Sequence, residues 1–176
     1  MTCQMNRNDE LYTPKYIIEP ILQYIKPNST IWCPFDTETS EFVSTFREAG
    51  HKVIFSHIIH NQDFLTYNPD IEYDYIISNP PFTIKLKVLQ KLYTLNKPFA
   101  VILGLPILNY QEIGNFFLDK ELQLLIFDKK VSFNGSTASF NNSYFCHKFL
   151  PKDLMFYHLE HNNTGKNYKS SNMILH

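Results

Sequence analysis

Asp74-Tyr75-Ile76-Ile77-Ser78-Asn79-Pro80-Pro81-Phe82 joins an apolar, β-prone run to a pair of prolines. Tyr75, Ile76 and Ile77 have the character of a buried strand. Pro80 and Pro81 supply no backbone N–H, and each pushes the residue before it into an extended conformation. The strand therefore leaves its sheet as a stiff elbow and not as the start of a helix. Such an elbow holds the Asn79 amide and the nearby carbonyls at a strand's C-terminal end with few local partners. In an open α/β sheet that edge is the usual ligand crevice. Phe82 adds a flat aromatic face. Amide oxygen, backbone carbonyl and aromatic plate together suit an exocyclic amine on a planar ring; the bland alternative is a strand ending in a proline turn.

Working outward, Thr13 reads as a helix N-cap before Pro14 at the first helical position. Ile17, Ile18, Ile21, Leu22 and Ile25 form one apolar stripe, distorted by Pro20. Thr30–Cys33 is a first strand, with Pro34-Phe35-Asp36 as its C-terminal elbow. A helix over Glu38–Ala49 stops at Gly50, and Val53–Phe55 is a second strand. After the Tyr75–Ser78 strand come a helix with Val88, Leu89, Leu92 and Tyr93 inward and a strand at Phe99–Leu103. This β-α-β-α-β order at intervals of 20–25 residues predicts an α/β chain with a doubly wound, mostly parallel sheet. A helix near Ile113–Leu118, strands near Leu122–Phe127 and Tyr144–Phe149, and a further edge strand at Leu154–Leu159 complete it. Val131–Asn142 reads as a polar loop. Residues 1–160 are expected to form one domain, and 161–176 a polar, disordered tail.

A chain of 176 residues that is 44% hydrophobic can bury a proper core. Its net charge of −1 gives no global attraction for nucleic acid, so DNA binding would rest on a local patch. Cys3, Cys33 and Cys146 form no close pair, which argues against a disulfide framework or a zinc ribbon. His51, His57 and His60 lack a partnered Cys or acid and make no persuasive metal site. No apolar run reaches membrane length and no signal peptide precedes the first helix, so a cytoplasmic location is expected.

Asp-x-x-x-x-Asn-Pro-Pro-Phe at 74–82 resembles the catalytic motif of amino-methyltransferases that use S-adenosylmethionine, above all adenine-N6 DNA methyltransferases. Tyr12-Thr13-Pro14-Lys15 and Trp32-Cys33-Pro34-Phe35-Asp36 are similar to two segments of small bacteriophage-borne, Dam-like members. The resemblance runs from about residue 11 to about residue 159. It implies a Rossmann-like class I methyltransferase fold, with S-adenosylmethionine as cofactor and Asn79, Pro80, Pro81 and Phe82 as the catalytic elbow. The Asn79 amide and Pro80 carbonyl would accept the amine hydrogens, favouring a pyramidal nitrogen, while Phe82 stacks on the base. Tyr12, Thr13, Pro34, Phe35, Asp36, Asp63 and Phe64 would hold the cofactor. Asp63 would accept from its adenine amine, Phe64 would pack on the ring, and Tyr12 would close over it or simply pack. A target base inside a duplex would have to be flipped out.

Lys85, Lys87 and Lys91 follow the elbow as phosphate contacts or as solvated lysines. By the same resemblance Phe133, Asn134 and Phe140 hold the extruded base, with core packing an equal alternative for at least one phenylalanine. Two departures stand out. The turn after the first strand, Pro34–Glu38, contains no glycine, which removes the dinucleotide and P-loop fingerprints; a carboxylate at Asp36 or Glu38 would instead meet the cofactor's cationic amino group. The second strand is followed by Ser56 and His57, not by an acid for ribose, and His57 reads as an ordinary loop histidine. The implied activity is methylation of adenine N6 in DNA. Rival readings are methylation of RNA or of a protein amide nitrogen, and an inactive methyltransferase-like module that binds a host defence protein. With little chain left for target recognition, loops, self-association or a partner would supply it.

Overall fold

β1 (Thr30–Cys33) and β3 (Tyr75–Ser78) fall where the apolar runs predict them, in a computed structural model that describes residues 13–133, 136–137 and 141–160. With β2 (Lys52–Phe55), β4 (Phe99–Gly104), β5 (Gln123–Phe127), β8 (Asn142–His147) and β9 (Leu154–Tyr157) they form a seven-stranded sheet. β6 (Ser132–Phe133) and β7 (Ser136–Thr137) form a separate antiparallel pair. The strand order is β2-β1-β3-β4-β8-β5-β9, and β8 alone runs against the others. The chain winds from β1 to β2 in one direction and returns to place β3 on the other side of β1. That reversal is the topological switch point, where ligand crevices form in doubly wound sheets.

Both faces of the central strands are covered, which is why they read as unbroken apolar runs and not as alternating ones. Ile31, Cys33, Tyr75, Ile77, Ala100, Ile102, Tyr144 and Cys146 point to one face, packed with Ile17, Ile18 and Ile21 of α1 (Lys15–Leu22) and Phe42 and Phe46 of α2 (Glu41–Glu48). Trp32, Ile76, Phe99, Val101, Leu103 and Phe145 point to the other, against Val88, Leu89 and Leu92 of α3 (Lys85–Leu95) and Ile113 of α4 (Gln111–Phe117). Burying each such aliphatic or aromatic side chain contributes about 1.5–3 kcal/mol, so either helix layer is held firmly.

Several local expectations are corrected. The N-cap of α1 is Pro14, not Thr13, and no side chain caps the helix. The helix carries Pro20 in its last turn and ends at Leu22; tighter bonds from Tyr24 N to Ile21 O and Ile25 N to Leu22 O extend the stripe to Ile25. α2 begins three residues later than expected, because Thr37 N–H donates to Ser40 Oγ (2.9 Å) in a turn ahead of Ser40 as N-cap. Gly50, at φ +86°, provides its left-handed stop. The Val131–Asn142 segment is not simply a polar loop: Val131 and Phe133 are buried and the short β6–β7 hairpin lies within it. β8 starts at Asn142, where pairing with Gly104 and Leu103 draws two polar residues into the ladder.

Candidate active site

β1 and β3 are parallel neighbours with Trp32 opposite Ile76, so Pro34–Asp36 and Asn79–Phe82 leave the sheet side by side at the switch point. The Ser78 hydroxyl donates to Asp36 Oδ2 across this junction. Asp36 is only 8% exposed. Burial pushes its carboxyl up to about 6, although hydrogen bonds from Ser78 and Ser40 pull the other way. One residue beyond Ser78, Asn79 Nδ2 donates to Thr13 Oγ1 at 3.1 Å. The chain thus uses Thr13, itself buried, to hold one end of the amide. Asn79 Oδ1 is buried and has no hydrogen-bond partner among the described residues. An acceptor left in that condition costs on the order of 1–3 kcal/mol. Pro80 and Pro81 are buried behind it, and half-buried Phe82 opens a short turn leading into α3.

Beside the elbow lies a cleft of about 470 Å³, counting space open to solvent, walled by Pro34, Phe35, His57, Asp63, Phe64 and Pro81 among others. Phe64 is 2% exposed, with its ring centroid 5.0 Å from that of Phe35 and 5.4 Å from that of Trp32. Trp32 is in turn fully buried, tied by Nε1 to Ser56 Oγ at 2.9 Å. Asp63 shapes the wall: its Oδ1 accepts from Leu65 N (3.0 Å) and its carbonyl from Tyr67 N (2.7 Å). His57, 6% exposed, accepts the Ile59 N–H at Nδ1 (3.2 Å), so an ordinary loop position becomes part of the cleft lining. Its position two residues after β2, on the ligand edge of the sheet, was the signal for it.

The lysines divide. Lys91 turns inward: Nζ donates to the carbonyls of Phe64 and Tyr67 (2.7 Å for the latter) and sits 4.9 Å from the centre of the Phe64 ring. Burial holds its pKa below the ordinary lysine value. It is a clamp on the cleft wall and not a phosphate contact, which corrects that expectation. Lys85 stays at the elbow, 3.5 Å from the Phe82 carbonyl and over the Tyr110 ring, and Lys87 is exposed. Glu38 pairs with Arg47 on the surface at 2.5 Å, so of the two acids in the Pro34–Glu38 turn it is Asp36 that lies at the junction. Phe133 takes its core alternative: it is 2% exposed within the cluster on the α1 face, and its expected place against a base is corrected. Tyr12, Asn134, Phe140 and the 161–176 tail lie outside the described residues. No helix among the described residues is long and apolar enough to cross a membrane.

The fold is that of the Rossmann-like class I methyltransferases. A protein from Listeria monocytogenes assigned as a class I S-adenosylmethionine-dependent methyltransferase superposes with a TM-score of 0.52 at 12% identity, over 92% of this chain and 69% of that one. A release-factor-specific protein-(glutamine-N5) methyltransferase from Alicyclobacillus acidocaldarius matches at 0.41 and 14%, over 82% and 95% of the two chains. At 12% identity the likeness to the Listeria protein establishes the fold alone. No protein-family model matches the chain, and no curated protein matches its sequence.

Proposed function

We propose that this chain transfers a methyl group from S-adenosylmethionine to an exocyclic amine, with N6 of adenine in DNA as acceptor. The observation that carries the reading is Asn79 Oδ1, a buried acceptor without a partner among the described residues, on an amide held by Thr13 at the switch point. Its place in Asn79-Pro80-Pro81-Phe82 ties it to the motif that adenine-N6 methyltransferases share.

The residues fit the cofactor. The aromatic wall that Phe35 and Phe64 give the cleft suits a purine, and the buried Asp36 carboxylate suits a cationic amino group. Bound there, the cofactor supplies an electrophilic methyl group on a sulfonium. The protein's part is to bind and orient the acceptor. Asn79 Oδ1 accepts one amine hydrogen and the Pro80 carbonyl the other, which localises the nitrogen lone pair and aims it. Phe82 supplies the stacking surface for the base. No general base is required to activate the nitrogen; positioning and fixed dipoles lower the barrier, and the proton that the methylated nitrogen must lose passes to solvent. Lys85 and Lys87, the two lysines not committed to the cleft wall, are the phosphate contacts of this reading. The glycine-free turn, which puts Phe35 into the cleft, is the feature that favours an inactive binding module instead.

Two measurements test the reading in sequence. Calorimetric titration with S-adenosylmethionine should show binding, and DNA from expressing cells should contain N6-methyladenine. Absence of binding at millimolar cofactor transfers the case to the binding module. Binding without modified adenine leaves RNA or a protein amide as acceptor and refutes the DNA assignment.

A further inference from the structure

β9 closes one edge of the sheet and is paired, among the described residues, only with β5. Met155 and Tyr157 point into the core cluster on the α1 face. Leu154 and Phe156 point to the opposite face, in register with Leu124 and Ile126. Leu124 packs under the α3–α4 layer, but one strand further out Leu154 is 53% and Phe156 71% exposed. An edge strand bearing exposed apolar side chains invites strand pairing, and proteins normally blunt it.

Among the described residues, the backbone shows which groups are free. Leu124 N donates to the Asp153 carbonyl (2.7 Å), and Asp128 N donates to the Tyr157 carbonyl (3.1 Å). The odd-numbered residues of β9 therefore aim their peptide groups at β5. Alternation along a strand leaves those of Leu154 and Phe156 facing outward. Every even-numbered residue from 152 to 160 is exposed: Leu154 and Phe156 within β9, Lys152 in the bend that precedes it, and His158 and Glu160 in the segment that follows.

That series is complementary to its own reverse. We propose that a second copy of this chain pairs with the free edge of β9, antiparallel, about a two-fold axis at Phe156. Phe156 then lies beside its twin, Leu154 beside His158, and Lys152 beside Glu160, with each cross-pair occurring twice. Such an axis stands perpendicular to the sheet, so the even-numbered side chains of both copies share one face. The hydrogen-bonded positions of this register are 154, 156 and 158, the parity whose peptide groups β5 leaves free. Opposite charges at both ends fix the register, since a shift by two residues would separate Lys152 from Glu160. The interface is isologous and closes as a dimer, joining two sheets into one. It does not depend on the methyl-transfer reading.

Sedimentation equilibrium of the full chain should show a concentration-dependent dimer. Phe156→Glu, which sets two carboxylates against each other on the axis, should abolish it. Lys152→Glu and Glu160→Lys should each shift the protein to monomer, and the double charge swap should restore the dimer. In a Cys3→Ser background, Phe156→Cys should cross-link on mild oxidation, because paired Cα atoms about 5.5 Å apart are within disulfide reach. A full chain that is monomeric at every concentration overturns the inference. So does a dimer that survives Phe156→Glu, or single charge reversals that the double swap does not rescue. A monomeric Phe156→Cys variant whose new thiol resists a maleimide reagent would point to the chain's own 161–176 segment as the cover, and would overturn it as well.

Discussion

Replacing Asp36 by Asn should stabilise this protein at neutral pH and do little for it in acid. Asp36 is 8% exposed at the junction of β1 and β3, and burial lifts its carboxyl from 3.8 to about 6. A rise of that size is worth about 3 kcal/mol, an upper figure because local relaxation and water reduce it. The sign follows from the protons bound. Between pH 3.8 and about 6 the folded chain holds a proton that the unfolded chain has released, so stability falls as pH rises through that window and is flat above it. Asn cannot ionise, and its Oδ1 still accepts the Ser78 hydroxyl. Urea unfolding of both proteins should therefore give nearly equal stabilities at about pH 4 and a gap approaching 3 kcal/mol in favour of the variant at about pH 7.5. The same variant should lose affinity for S-adenosylmethionine, because the carboxylate that costs stability is the partner proposed for the cofactor's ammonium. A gap that does not change with pH, or an Asp36→Asn variant less stable than wild type at neutral pH, would refute the reasoning.

Asn79→Ala should fold and bind cofactor normally, yet lose about two to three orders of magnitude in single-turnover methyl transfer; an unfolded variant would make Asn79 a turn residue instead. Thr13→Val removes the acceptor that holds the Asn79 amide, and should lower the single-turnover transfer rate at saturating cofactor several-fold, on the order of one hydrogen bond, while Thr13→Ser should restore it. Lys91→Met leaves the Phe64 and Tyr67 carbonyls without their cation, and should cost about 1–3 kcal/mol in urea unfolding and weaken cofactor binding in titration; unchanged DNA affinity in that variant would separate Lys91 from Lys85 and Lys87.

The parts of the fold that were legible are those governed by local pattern. The runs Thr30–Cys33 and Tyr75–Ser78 are buried on both faces and bounded by proline turns, so their ends could be read residue by residue. The crossover order pointed to the switch point, and the proline pair marked the elbow that leaves β3 there. What was misread depends on contacts distant in sequence. Thr13 looks like a cap because its neighbour is proline, but its hydroxyl meets Asn79, 66 positions away. Lys91 sits one helical turn beyond Lys87 and reads as its solvated partner, yet carbonyls at 64 and 67 draw it inward. Phe133 stands in a polar stretch, and only its burial in the cluster on the α1 face reveals that it is core. β8 begins with Asn142 and Ser143, whose place in the ladder is set by β4 and not by their own preference.

The burial of Trp32 also bears on how the molecule can be observed. It is the chain's single tryptophan, packed against Phe64 with Lys91 5.9 Å from its ring, one aromatic layer behind the cleft. Its fluorescence therefore comes from one environment, without the averaging that several indoles impose. Any event that shifts Phe64 or the Lys91 ammonium alters the field at the indole and with it the emission. The protein carries its own optical reporter beneath the crevice, so occupancy can be followed in the stopped-flow time range without attaching a dye.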